Sequence, residues 1–181
     1  MGILWNRFWK LSGEYSLTIK ATVKGLSPVL PQGEDKPSWS MYQAGYGLFG
    51  LSFGSKIQFE SFYPSQESSA LFIIKEDGTY GLMRFTKREP EPINKKTISQ
   101  SSALNLGYQI SLNIRVSYGM VRAQLSINNI AKPLIKWQTR RHETEGFFGL
   151  AARGYLNTAI ENIAINLVLN TDKLVAAKTN Q

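Results

Sequence analysis

The sequence predicts an all-β protein, one antiparallel sandwich built from two sheets. Three observations carry that expectation. Apolar and polar side chains alternate with a period of two over several segments, and tight-turn residues separate those segments. Aromatic residues reach 12%, with 15 glycines against 7 prolines, which suits strands and turns. At 181 residues, 43% hydrophobic and 19% charged, the chain has the length of one domain and enough apolar material for a sizeable core.

From Glu14 to Lys24, Tyr15, Leu17, Ile19, Ala21 and Val23 alternate with polar residues, the pattern of a half-buried strand. Pro28, Pro31, Gly33 and Pro37 then mark a loop over 25–38. The nearly all-apolar run from Gly45 to Phe53 predicts a buried strand, with glycines where another backbone comes close. Ala70 to Lys75 and Thr79 to Phe85 flank Asp77-Gly78, a pair that tolerates the positive φ angles of a hairpin turn. A second hairpin over 110–125 reverses near Tyr118-Gly119, and Asn128-Asn129 turns the chain into a strand over 130–137. Phe147 to Ala152 and Ala159 to Leu169 form the last pair. Ile160, Ile163, Ile165, Leu167 and Leu169 keep mostly odd spacing there. The total is roughly ten short strands, spaced as in a sandwich or barrel.

The ends differ from the body. Residues 1–13 form an amphipathic N-terminal segment in which Leu4, Trp5, Phe8, Trp9 and Leu11 repeat at helical spacing beside Arg7 and Lys10. A short helix is expected, with a strand as the alternative. The sandwich domain spans 14–169, and 170–181 is a polar tail.

Four runs, GYGLFGLSF (45–53), ALFIIKEDGTYGLMRF (70–85), YQISLNIRVSYGMVRAQLSINN (108–129) and GFFGLAARGYLNTAIENIAINL (146–167), resemble the concanavalin A-like, laminin-G-like jelly roll. They are most similar to its bacterial 3-keto-disaccharide hydrolase-like branch. Asp77, Gly78, Tyr80, Leu82 and Arg84 match that branch's hairpin pattern. Asn128-Asn129 departs from its usual Asn-Gly, and Ala159-Ile160-Glu161 from its aromatic before Asn-Ile. The resemblance implies a jelly roll and either carbohydrate binding or glycoside chemistry. The matching residues are turn glycines and core positions, which specify a fold and not a function.

Zero cysteines exclude disulfides, thiolate metal sites and cysteine nucleophiles. Glycosidic hydrolysis needs two carboxylates roughly 5–9.5 Å apart. The nearest approaches are Glu89/Glu91, interrupted by prolines, and Glu143/Glu145 beside the lone His142; a solvated loop accounts for both. Asp77 and Glu76 could join a rim calcium site, although the turn already explains them. No catalytic residue, metal or cofactor is expected. Carbohydrate would be held by exposed aromatics, for which Trp39, Tyr42, Tyr63 and Trp137 are the candidates at loops and strand ends.

Lys+Arg 21 against Asp+Glu 13 leaves a net charge of +8, spread over Lys87-Arg88, Lys95-Lys96 and Arg140-Arg141 with Lys132 and Lys136. No contiguous stripe or nucleic-acid module is visible, so nucleic acid is not the expected partner. Basic residues on sandwich edges also discourage edge pairing. The N-terminal segment has the make-up of an interfacial anchor and lacks the apolar run and cleavage site of a signal peptide. The leading expectation is therefore a non-catalytic interaction subunit of a larger membrane-associated protein assembly, peripheral to the bilayer. Leu4, Trp5, Arg7, Phe8, Trp9 and Lys10 would form its interface, together with the basic face. The alternative is a carbohydrate-binding module or a 3-keto-glycoside hydrolase-like enzyme.

Overall fold

A computed structural model describes residues 2–5, 10–26, 47–55, 70–86, 89–140, 143–153 and 156–168. Within them the chain is built from antiparallel strands: β1 (Gly2–Trp5), β2 (Glu14–Gly25), β3 (Leu48–Ser55), β4 (Ala70–Lys75), β5 (Thr79–Thr86), β6 (Glu89–Pro92), β7 (Ile98–Gln100), β8 (Gln109–Ser117), β9 (Met120–Ile127), β10 (Ile130–Ala131), β11 (Ile135–Gln138), β12 (Phe147–Arg153) and β13 (Asn157–Val168). One seven-stranded sheet runs β1-β12-β3-β4-β5-β6, with β7 on the free half of β5. A six-stranded sheet runs β10-β9-β8-β2-β13, with β11 beside β9. The chain switches sheets after β1, β2, β7, β11 and β12, so β3–β7 lie together on one layer and β8–β11 on the other.

Alternation decides which side chains meet. Tyr15, Leu17, Ile19, Ala21 and Val23 of β2 are buried, as are Ile110, Leu112, Ile114 and Val116 of β8 and Val121, Ala123, Leu125 and Ile127 of β9. They pack in one cluster with Phe49, Leu51, Phe53, Phe72, Ile74, Tyr80 and Leu82 from the other sheet. The seven-stranded sheet is buried on its other face too, where Leu48, Leu71, Ile73, Met83 and Ala151 form a second cluster with Ile98 against it. Strands buried on both faces read as continuous apolar runs, which explains why 70–75 does not alternate.

The turns take the backbone angles their residues permit. Gly78 has φ +85°, and the Asp77 carboxylate accepts the Thr79 N–H at 2.8 Å. Asn128 and Asn129 have φ +50° and +63°, values that asparagine tolerates. The expected strand over 130–137 is split into β10 and β11. Pro133, which has no N–H for a ladder, stands in the gap.

One expectation is corrected. Over Gly2–Trp5 the N-terminus is a strand and not a helix: Leu4 pairs with Leu150 and Trp5 with Gly149. Leu11 is 4% exposed and exchanges two backbone hydrogen bonds with Gly146, at 2.8 and 2.9 Å. An edge with open donors on β12 outweighs the weak helical preference of a short segment. Ile163 and Leu167, which share the odd spacing of Ile165, are 45% and 58% exposed, while Ile165 packs against the core. Their register partners Ile19 and Tyr15 are buried, so they face inward, but β13 is an outer strand with β2 as its one neighbour.

Tyr15 joins the sheets at one end. Its hydroxyl donates to the Thr144 carbonyl at 2.6 Å, and its ring is fully buried. Burial, reinforced by the Glu145 carboxylate, raises its ionisation well above the ordinary 10.0. The phenol therefore contributes full stability below pH 10.0, and the contribution is lost at higher pH as the unfolded chain releases the proton that the folded chain keeps. Urea midpoints between pH 8 and 11 should fall more steeply for the wild type than for Tyr15→Phe. The difference in slope approaches about 1.4 kcal/mol per pH unit above pH 10. Equal slopes would remove Tyr15 as the source.

Candidate functional site

The outward residues of the six-stranded sheet differ from those of its partner: they are polar almost throughout. Register sets them in rows across the strands. One row runs Asn166, Ser16, Arg115, Arg122, Lys136, from β13 through β2, β8 and β9 to β11. The next towards the Tyr118 turn runs Glu14, Ser117, Met120, Gln138. On the other side come Thr18, Asn113 and Gln124. A cavity of about 290 Å³ opens at the hairpin end of this face, lined by Arg115, Ser117, Tyr118, Met120 and Arg122.

Tyr118 owes its position to the turn. The two-residue connection Tyr118-Gly119 has φ +48° and +76°, the sense that matches strand twist in a tight hairpin. Gly119 suits that geometry, and a side chain there would meet the Thr139 carbonyl. Tyr118 is the one residue other than asparagine or glycine with positive φ among the described residues. A bulky side chain in that region is strained by roughly 1–3 kcal/mol, and such strain clusters at ligand sites. The ring is 81% exposed at the rim of the cavity.

Around it, most polar groups are already engaged. Ser117 Oγ donates to Glu14 Oε2 at 2.8 Å, and Asn113 Nδ2 to Thr18 Oγ1 at 2.7 Å. Gln124 Nε2 donates to the Lys132 carbonyl at 2.6 Å. These bonds hold the face in one arrangement, the preorganisation a polar binding surface requires. Arg115, Arg122 and Lys136 make no ion pair or hydrogen bond with a described residue, and all three are exposed. An aromatic rim, fixed hydroxyls and amides, and uncommitted cations can bind a polyhydroxylated molecule. The site shows no nucleophile–base pair.

The sequence candidates fall differently. Trp137 is corrected: it is 7% exposed within the main core, because β11 turns Ile135 and Trp137 inward together. Arg84 lies over its ring, with Cζ 5.9 Å from the centroid, so the indole offers no open face to a sugar. Trp39, Tyr42 and Tyr63 lie outside the described residues, as do Arg7, Phe8, Trp9, His142 and the tail over 170–181. Leu4 and Trp5 are described as backbone only, and Lys10 is exposed. Nothing described therefore bears on docking through the N-terminal segment. Glu143 and Glu145 serve separate contacts. Glu143 pairs with Arg84 at 3.1 Å and accepts from Thr139 Oγ1 and the Arg140 N–H, while Glu145 accepts from Ser12 Oγ at 3.2 Å. Among the described residues no three His, Asp or Glu side chains gather as a metal site.

Sequence reading missed Arg115, Arg122 and Tyr118. The signal was present in the hairpin: once Tyr118-Gly119 is a two-residue turn, residues equidistant from it pair, and Arg115 must face Arg122.

No family model and no curated protein sequence matches the chain. Solved structures do. Toad ovary galectin, in complex with thio-digalactose, superimposes with a TM-score of 0.52 at 9% identity, covering 92% of this chain and 99% of that one. The carbohydrate-binding module CBM66 from Bacillus subtilis gives 0.51 at 12% identity, over 88% of this chain and 78% of the module. A legume lectin-like domain from Entamoeba histolytica gives 0.52 at 12%, over 90% and 76%. Identities this low establish fold alone, and they do not single out the 3-keto-disaccharide hydrolase-like branch. The chain is a concanavalin A-like jelly-roll sandwich, the fold of lectins and carbohydrate-binding modules.

Proposed function

We propose that the protein is a carbohydrate-binding module whose ligand lies on the outer face of the six-stranded sheet, against Tyr118. The observation that carries this reading is the strained, 81% exposed Tyr118 at the mouth of a cavity lined by Arg115, Ser117, Met120 and Arg122. An exposed ring offers an apolar face to the C–H side of a pyranose, and the neighbouring hydroxyls, amides and guanidinia meet its oxygens. The fold's presence in lectins and carbohydrate-binding modules supports the same reading as an analogy. Binding of this kind involves no bond cleavage, and the separate structural contacts of Glu143 and Glu145 fit it.

The test is a glycan array followed by titration calorimetry on the strongest hit. Tyr118→Ala should weaken binding by about five- to tenfold, as expected for losing an aromatic contact worth about 1–1.5 kcal/mol. Its melting temperature should change little, since the ring is exposed and alanine keeps the Cβ and the positive φ. Absence of any glycan ligand would overturn the reading, and so would unchanged affinity in Tyr118→Ala.

A further inference from the structure

The Arg115–Arg122–Lys136 row is costly as it stands. Arg115 lies directly opposite Arg122 in the β8–β9 register, and Arg122 directly opposite Lys136 in the β9–β11 register. Like charges in directly opposed positions destabilise a sheet. Strands lie about 4.8 Å apart, so the backbones of these three basic residues fall within about 10 Å along one line. The nearest acid on this face, Glu14, sits diagonally one row away and accepts from Ser117 Oγ at 2.8 Å; it pairs with neither arginine.

The usual explanation for basic residues on a sandwich does not reach the two arginines of this row. Lysine and arginine protect exposed edges from strand pairing. Yet β8 lies between β2 and β9, and β9 between β8 and the pair β10 and β11, so both arginines stand on interior strands. Nor do they cover more apolar surface than one methionine, since their outward neighbours are Ser16, Ser117, Asn113, Gln124 and Met120. Two guanidinia side by side, with no acid of their own, are suited to an anion arriving from outside. Each can meet a carboxylate or sulfate with paired N–H donors, and Lys136 adds a third positive charge.

We infer that the carbohydrate bound on this face is acidic, with carboxylate or sulfate groups held by Arg115 and Arg122 and flanked by Lys136. The inference rests on the carbohydrate-binding reading and narrows it to a ligand class. A sugar chain is favoured over a lipid headgroup because the cations sit amid hydroxyls and amides. Beside them stand only Met120 and Tyr118 as larger apolar groups, too little to insert into a bilayer.

The experiment uses the full chain. Titrations with polygalacturonate, its fully methyl-esterified form, hyaluronate and heparin separate carboxylate, neutralised carboxylate and sulfate on sugar backbones. Vesicles containing phosphatidylserine and a DNA duplex provide non-glycan anions. The expected result is binding to at least one acidic glycan, at least tenfold above the methyl ester and the non-glycan anions, and weakening with added salt. The Arg115→Gln/Arg122→Gln variant should lose about 10–100-fold of that affinity. Its melting temperature should not fall, because a repulsive pair is removed; a merely structural role would lower it. Neutral glycans bound through Tyr118, with acidic ones no tighter, would overturn this inference and leave the carbohydrate reading standing. Unchanged affinity in the arginine variant would do the same. Binding to vesicles or DNA alone, or to no glycan at all, would overturn both.

Discussion

Phe72→Ala is expected to cost about 3–5 kcal/mol, enough to unfold a large share of a typical domain of this size near physiological temperature. Phe72 is fully buried at the middle of β4. Its register partners are Leu51 on one side and Leu82 on the other, and its ring centroid lies 6.2 Å from that of Tyr80. It stands on the face of the seven-stranded sheet that meets β2, β8 and β9, so both layers lose contacts when the ring is removed. β-Strand backbone cannot collapse into such a gap without disturbing hydrogen bonds on either side, which places the cost in the upper part of the usual range. Urea unfolding followed by tryptophan fluorescence measures it. A loss below about 1 kcal/mol would mean that the two sheets do not meet through Phe72.

What the sequence revealed of this fold depended on how local each signal was. β2, β8 and β9 alternate over their whole lengths and were legible without any partner, because one face meets the core and the other water. Asp77-Gly78, Tyr118-Gly119 and Asn128-Asn129 were legible as turns because glycine and asparagine suit the positive φ angles of Gly78, Gly119, Asn128 and Asn129, whereas Tyr118 takes its own under strain. β1 was not legible. Its strand character comes from pairing with β12, about 150 residues away, whereas its local spacing also suits a helix. Ile163 and Leu167 keep the spacing of a single face yet lie exposed, because alternation reports a face and not the depth of cover over it. Trp137 failed in the opposite sense: a position at a strand end says nothing about which way the ring turns, and β11 turns it inward.

The proposed binding face illustrates the same limit. Clusters that are contiguous in sequence drew attention to Lys87-Arg88, Lys95-Lys96 and Arg140-Arg141. The cations that the sheet gathers are Arg115, Arg122 and Lys136, at seven and fourteen residues' separation, and they meet only through register. Tyr118 was read as a turn marker, and its exposure became meaningful once the strain in its backbone and the cavity beside it were visible together.

Gly50→Ala should be about as damaging as Phe72→Ala, at roughly 3 kcal/mol or more, although it adds one methyl group where the other removes a ring. Gly50 is buried on β3, between Ile73 of β4 and Ala151 of β12. A Cβ there would run into the Phe72 carbonyl and lie 2.9 Å from Ile73 Cα. Both obstacles are backbone, so relief requires β3 and β4 to move apart across a hydrogen-bonded register, which no side-chain rotation provides. The six-stranded sheet has no part in that clash. Gly50→Ala should therefore lower the urea midpoint sharply while, at temperatures where it remains folded, glycan affinity at Tyr118 stays within about twofold of the wild type, as expected for distant sites that act independently. A stable Gly50→Ala would show that the β3–β4 approach is looser than the structure has it. A folded variant with much weakened binding would show instead that the ligand face depends on the packing of the opposite sheet, and the carbohydrate site would then have to be sought across both layers.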